Sequence, residues 1–209
     1  MIPRHQTILF VVLLVASVIM GSVLWHLRAR AHQRLLQGED SAPTHAPQVA
    51  PAEQATLMVA NDADNSVLTR ILSLPLPQNP EARARAVLDK LLDLYAAPGA
   101  THSVPGGASS IAQVFLLPVA DTQGKTTESD PELAVVNLTG AFAASHPSGL
   151  ETETLTVLSI CATLHANLPR VTEVSFLVDG QPRDTLAGHA DLTRTYLAAE
   201  AAPAEGAHA

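Results

Sequence analysis

The sequence predicts an α+β fold: a small mixed sheet with two helices packed on one face, preceded by one transmembrane helix. Three observations carry that reading. An uncharged apolar run occupies residues 6–25. Two later stretches repeat apolar residues at the helical period. Short apolar runs around them end at Gly, Pro, Asn or Asp, as strands do. The predicted order is strand, helix, strand, strand, helix, strand, which suits helices gathered on one side of a sheet.

The N-terminal run includes Ile8, Leu9, Phe10, Val11, Val12, Leu13, Leu14, Val15 and Ile19. About 20 apolar residues in a helix cross a hydrocarbon layer roughly 30 Å thick. Such a helix satisfies its own backbone polar groups where water is absent. Residues 8–27 are therefore read as the span, after a short tail at 1–7. Trp25 and His26 suit the interfacial belt, and Arg28, Arg30 and Arg34 suit the polar edge. A cleaved signal peptide has a shorter apolar region and a small-x-small cleavage site. The nearest such site, Ala29-Arg30-Ala31, is embedded among arginines, and no cysteine follows the run for a lipoprotein anchor. A retained anchor is thus expected. Arg4 and the terminal amine flank it on one side and three arginines on the other, so charge alone leans slightly towards a cytoplasmic C-terminal side.

Residues 28–54 begin basic and pass into a Pro- and Ala-rich stretch without apolar period, the pattern of a tether. The folded unit is expected over 55–197, and 198–209, which lack a core pattern, as a tail. Within the unit, 56–60 reads as a strand that breaks at Asn61-Asp62, and 67–76 as a second extended stretch. Asn79-Pro80-Glu81 is a helix start, with Asn as N-cap and Pro at the first helical position. Ala84, Val87, Leu88, Leu91, Leu92 and Tyr95 follow at helical spacing until Pro98-Gly99. Residues 111–119 and 133–138 read as strands on either side of a polar loop, 121–131. Ser148-Gly149-Leu150-Glu151 has capping-box spacing, and Val157, Ile160, Cys161, Leu164 and Leu168 then mark the second helix. Residues 174–178 form a strand that turns at Asp179-Gly180, where Gly tolerates positive φ.

Composition narrows the function. Among 209 residues the formal net charge is −8, with few and scattered Lys and Arg. Nucleic-acid binding needs a basic stripe, so it is not expected. Aromatics make up 3% against 47% hydrophobic residues, so the core is built of Ala, Val, Leu and Ile. The single cysteine, Cys161, forms no intrachain disulfide and reads as a small buried residue.

No catalytic motif has good spacing. The chain contains no G-x-S-x-G, no phosphate-binding glycine pattern and no H-E-x-x-H. His189 and Asp191, completed by His165 or His146, are the best metal candidates, but two ligands two residues apart are common by chance. Cys161 and His165 lie one helical turn apart, the spacing of a nucleophile pair. The apolar neighbours of Cys161 argue for burial instead. Asn137-Leu138-Thr139 is a chance glycosylation triplet at the end of a strand. No catalytic, cofactor-binding or metal residue is assigned, and the expectation is a protein that is not an enzyme.

The second half resembles the GerMN domain, known from sporulation and spore-germination proteins. The run Leu133-Ala134-Val135-Val136-Asn137-Leu138-Thr139-Gly140-Ala141-Phe142 carries the resemblance first. Residues 156–164 follow, with Ala162 where the family usually has Asn. Leu168-Pro169-Arg170-Val171 then leads to Val178-Asp179-Gly180, and Gly188-His189-Ala190-Asp191-Leu192 resembles the closing segment. The resemblance runs over about 55–196 and is weaker before Ile111. It implies a ring-building-motif-like αβ module that associates with copies or partners outside the membrane, against the lean of the flanking charges. The expected role is a membrane-anchored interaction or scaffold module in a cell-envelope or sporulation-type assembly. The alternative is a peptidoglycan-binding accessory protein, using loops such as 121–131. That alternative would call on aromatic platforms, and Tyr95, Phe115, Phe142, Phe176 and Tyr196 are the aromatics of the domain.

Overall fold

The chain divides into a unit at 1–48 and a unit at 49–209. The computed structural model describes residues 52–119 and 130–201, together with Met20. Apart from Met20, the anchor expected at 8–27 lies outside the described residues, as do residues 28–51 of the tether and most of the 121–131 loop. Ala52, Glu53 and Gln54, expected in the tether, belong instead to the first strand, so the folded unit begins before residue 55. Among the described residues no helix is long and apolar enough to cross a membrane.

The second unit opens with a hairpin. Strand β1 (Ala52–Asn61) pairs antiparallel with β2 (Ser66–Pro75) through ten unbroken pairs, from Ala52↔Pro75 to Asn61↔Ser66. The turn between them places Asn65 at φ 53, which Asn tolerates better than most residues. Helix α1 (Pro80–Ala96) follows, with the Asn79 side chain accepting the Ala82 N–H at 2.8 Å and Pro80 at its first position. Ala84, Val87, Leu88, Leu91, Leu92 and Tyr95 form its buried face, as their spacing predicts.

Strands β3 (Ile111–Pro118), β4 (Glu132–Leu138), β5 (Val171–Val178) and β6 (Tyr196–Leu197) make a second sheet in the order β3-β4-β5-β6. The β4–β5 pair is parallel and the other two pairs are antiparallel. Helices α2 (Gly140–Ser145) and α3 (Leu150–Asn167) lie in the β4-to-β5 connection. The α+β class therefore holds, but the single mixed sheet does not: the hairpin stands apart as its own sheet.

The reason is visible at the outer edge of β1, where the next strand would bond. Thr56 N–H donates to Asn167 Oδ1 at 3.0 Å, Met58 N–H to Thr163 Oγ1 at 2.9 Å, and Ala60 N–H to Tyr95 Oη at 2.9 Å. Asn167 Nδ2 returns a bond to the Thr56 carbonyl at 2.6 Å. Side chains of α1 and α3 thus take the place of a neighbouring strand, satisfying groups that would be costly to bury unpaired.

Helix α3 packs against β1 on one side and β5 on another, and also contacts α1. It is buried nearly all round, which is the condition of a central helix. The predicted capping box is corrected here. Gly149 is the N-cap and makes no side-chain cap bond. Glu153 takes the part expected of Glu151, accepting the N–H of the N-cap residue Gly149 at 3.1 Å.

Two further local features were not legible as elements. Helix α2 is only six residues long, too short to show a period, and is started by Thr139 Oγ1 accepting the Phe142 N–H at 3.3 Å. Its first residue, Gly140, lies so close to Asp179 that a Cβ would collide with the carboxylate. The Asp179-Gly180 turn forms as predicted, with φ of 50 and 74 and reciprocal bonds between Val178 and Gln181 at 2.9 and 3.0 Å. At the C-terminal end Ala198 and Ala201 are buried, so described packing continues past Leu197.

The most demanding buried group is Glu153, whose side chain is fully buried. Its Oε2 accepts N–H bonds from Ala187 at 3.0 Å, His189 at 2.9 Å and Ala190 at 2.9 Å. Its Oε1 lies 2.9 Å from His189 Nδ1. One carboxylate therefore ties the closing 186–190 loop to the first turn of α3. Burial by itself raises the Glu153 pKa, but these donors outweigh it and bring it down to about 2. A depressed carboxylate stabilises fully above its unfolded value near 4.5, and that stability drains away as pH falls towards 2. Acid titration of the folded chain should show this loss over pH 4.5 to 2. Glu153→Ala should cost about 3–5 kcal/mol in chemical denaturation at pH 7, because several buried donors lose their acceptor.

Candidate functional site

The residues singled out from sequence do not converge. Cys161 is fully buried, and burial pushes its thiol pKa well up, away from the thiolate that nucleophilic attack requires. His165 is turned to the backbone, with Nδ1 2.8 Å from the Val171 carbonyl. His189 serves the Glu153 clamp, and Asp191 Oδ1 accepts from the N–H and hydroxyl of Thr193 at 2.8 and 2.6 Å. His146 belongs to a different cluster. Among the described residues no group of three His, Cys, Asp or Glu is placed to hold a metal. Asn137 Oδ1 accepts the Gly180 N–H at 2.7 Å, which gives that buried side chain a structural task.

What the structure assembles instead is a polar chain that sequence spacing concealed. Asp62, in the β1–β2 turn, has Oδ1 2.5 Å from His102 Nδ1. His102 Nε2 lies 2.7 Å from Thr156 Oγ1 on α3. His146 Nε2 approaches the same hydroxyl at 2.8 Å, and His146 Nδ1 lies 2.8 Å from the Pro147 carbonyl. Asp, His and a hydroxyl in series have the connectivity of a hydrolytic triad. The setting differs. His102 and Thr156 are fully buried and His146 is 5% exposed, so the hydroxyl faces no substrate. Thr156 Oγ1 also lies 3.1 Å from the Thr152 carbonyl, which completes a shell of protein partners. Two surface cavities, of about 390 and 310 Å³, are lined by other residues, chiefly Leu150, Leu155 and Leu158 in one and Arg194, Tyr196 and Leu197 in the other.

The best-formed candidate for binding is a strand edge. In an antiparallel ladder, a residue whose N–H points away from the partner strand faces one whose N–H points away on the far side. Thr56, Met58 and Ala60 point outward from β1, and opposite them are Ile71, Thr69 and Val67. Those three therefore present N–H and C=O groups on the outer side of β2. Among the described residues no strand pairs there. Leu68 and Ile71 are 50% and 61% exposed, and Arg70 is the only charge on the strand. The other long edge, β3, is blunted. It carries an irregularity between Ile111 and Gln113, ends in Pro118, and has Glu81 Oε1 3.4 Å from the Leu116 N–H.

Of the five domain aromatics, Tyr95, Phe142, Phe176 and Tyr196 are buried and Phe115 is 37% exposed. Of the aromatics carried by strands β3 and β5, Phe176 lies in the core and Phe115 points outward from β3.

Comparisons with known proteins agree with the residue pattern. A family model described as sporulation and spore germination, Germane, matches residues 56–184. Among solved structures, the first GerMN domain of the sporulation protein GerM from Bacillus subtilis is 18% identical, with a TM-score of 0.38, covering 68% of this chain and 94% of that one. The tandem GerMN domains of the same protein match with the same identity and TM-score, covering 44% of that chain. A Clostridium perfringens protein described as a lipoprotein is 19% identical, with a TM-score of 0.32, covering 74% and 93%. A sequence comparison with curated proteins gives no significant match. Because the family model spans well over half of the chain, from the first strand to beyond the Asp179-Gly180 turn, the protein belongs to the Germane family of sporulation and spore germination domains.

Proposed function

We propose that this protein is a non-enzymatic interaction module. In this reading the helix at 8–27 holds it in the cytoplasmic membrane, and the domain acts on the outer side. It receives an extended segment of another envelope protein along the outer edge of β2. One observation carries this reading: among the described residues no strand pairs with the outer side of a ten-residue strand of unbroken register, while the opposite side of the same hairpin is sealed by Tyr95, Thr163 and Asn167. Unpaired backbone groups on a regular edge recruit a strand, and exposed side chains on alternate faces set which strand fits. Leu68 and Ile71 provide apolar contacts on the two faces, and Arg70 favours an acidic or neutral neighbour.

The peptidoglycan reading has less support. Glycan sites use aromatic platforms, and four of the five domain aromatics are buried. An enzymatic reading would need a reachable nucleophile, whereas Cys161 and Thr156 are buried.

A photo-crosslinking residue at position 69 of the full-length chain, irradiated in native membranes, should give an adduct with a different envelope protein. An adduct of twice the chain mass would instead assign the edge to a second copy, and no adduct at 67, 69 or 71 would overturn the reading. Thr69→Pro removes an outward N–H and should weaken partner capture by roughly tenfold, with little loss of stability because no β1–β2 bond is lost. Placement is tested by paired C-terminal reporters, one active only outside the membrane and one only in the cytoplasm. Activity of the first alone is expected, and activity of the second alone would reverse the orientation.

A further inference from the structure

The Asp62–His102–Thr156–His146 chain has a proton inventory that does not balance with neutral rings. His102 Nδ1 faces a carboxylate at 2.5 Å and His146 Nδ1 faces a carbonyl at 2.8 Å. Both contacts call for a proton between the two atoms. If both rings are neutral with the proton on Nδ1, both Nε2 atoms present lone pairs to Thr156 Oγ1, at 2.7 and 2.8 Å. A hydroxyl has one proton to donate. One Nε2 would then meet an oxygen lone pair inside the protein, a repulsion between two buried acceptors.

We propose that the folded domain holds one additional proton in this chain, so that His102 Nε2–H donates to Thr156 Oγ1 and Thr156 donates to His146 Nε2. The extra proton is shared across the 2.5 Å Asp62–His102 contact. Placed on His102, it gives an imidazolium beside a carboxylate; placed on Asp62, it gives a neutral acid beside a neutral ring. The proton count is the same, and both arrangements put a hydrogen on His102 Nε2. Every atom in the chain then has a partner of the correct sense: the Thr156 hydroxyl, which also lies within donating reach of the Thr152 carbonyl at 3.1 Å, turns its one proton to His146 Nε2.

The surroundings fit this assignment. Tyr95 of α1 meets His102 edge-on with ring centroids 4.6 Å apart, and burial raises its phenol to about 12, so it brings no charge. Phe142 of α2 packs edge-on against His146 at 5.5 Å. Burial lowers the pKa of His146, which makes it the ring that stays neutral. The charged groups that act on His146 besides His102 are Glu153 and Asp62, both acidic.

The proton does mechanical work. Asp62 belongs to the hairpin turn, His102 to the segment after α1, His146 to the end of α2, and Thr156 to α3. Four segments distant in sequence are joined through it, and the turn that carries β2 is fastened to the central helix. This inference is independent of strand addition at β2. It makes docking of the hairpin sensitive to pH. An unfolded chain above pH 7 holds no proton at these groups beyond those of neutral His and ionised Asp. Folding therefore takes up a proton, and stability from this source is present at lower pH and lost as pH rises. The neutral His146 acts in the opposite sense, but only as pH drops below its ordinary value near 6.5, so a window above pH 7 separates the two.

Nitrogen-15 NMR of the histidine rings in the full-length chain at pH 7 reads the assignment directly. His102 should show a protonated Nε2, and His146 a protonated Nδ1 with a bare Nε2. Two rings both bare at Nε2 would overturn the proposal. In denaturant titrations between pH 7 and 8, the folding constant should carry a component that falls by up to about tenfold per pH unit. Thr156→Val should remove that component, and Thr156→Ser should keep it. Equal slopes in wild type and Thr156→Val would count against the proton even if both proteins fold.

Discussion

The structure depends on how a nearly enclosed helix satisfies the polar groups it carries inward. Helix α3 buries Glu153, Thr156, Ser159 and Thr163 among Leu155, Val157, Ile160, Cys161 and Leu164. A buried polar group without a partner costs more than the bond it makes is worth, so each of these positions obliges another segment to come to it. Glu153 gathers the 186–190 loop, Thr156 gathers two histidines, and Thr163 with Asn167 caps the edge of β1. Ser159 turns back to the Thr156 carbonyl within the helix. The apolar residues supply cohesion, while the polar ones decide which segments meet.

That division of labour explains the split into two sheets. A hairpin beside a four-stranded sheet would ordinarily merge with it through backbone bonds. Here the donors of β1 at positions 56, 58 and 60 are taken by side chains of the helices. The hairpin is held on one side, and among the described residues no strand pairs on the other. The proposed interaction surface follows from the same arrangement, since among the described residues the outer side of β2 is regular, uncapped and long. Function in this reading arises from what the core leaves unsatisfied.

Much of the fold was legible because the signals were local. Asn79-Pro80, the Leu and Val spacing of α1, and Asp179-Gly180 each act through neighbours within a turn or two. The family pattern was legible in the second half for the same reason, with β4, the helix and β5 all compact in sequence. The rest was hidden by distance. Nothing near Glu153 marks it as a buried carboxylate, because the three backbone donors to its Oε2 lie 34 to 37 residues onward. Thr156 meets His102 54 residues away, and Thr56 meets Asn167 across 111. The capping-box reading of Ser148 failed for a related reason: the spacing was right, but Glu153 already met the need at Gly149. His189 drew notice as a metal candidate when its ring and its N–H both serve Glu153. Pattern alone cannot tell a ligand from a donor.

Residue-resolved hydrogen exchange on the full-length chain, free of partner, tests the central claim most directly. If helix side chains seal β1 and nothing covers β2, the amides of Thr56, Met58 and Ala60 should exchange only through global opening. Those of Val67, Thr69 and Ile71 should exchange orders of magnitude faster. Equal protection of the two sets would contradict the account, because it would mean that the outer edge of β2 is already occupied.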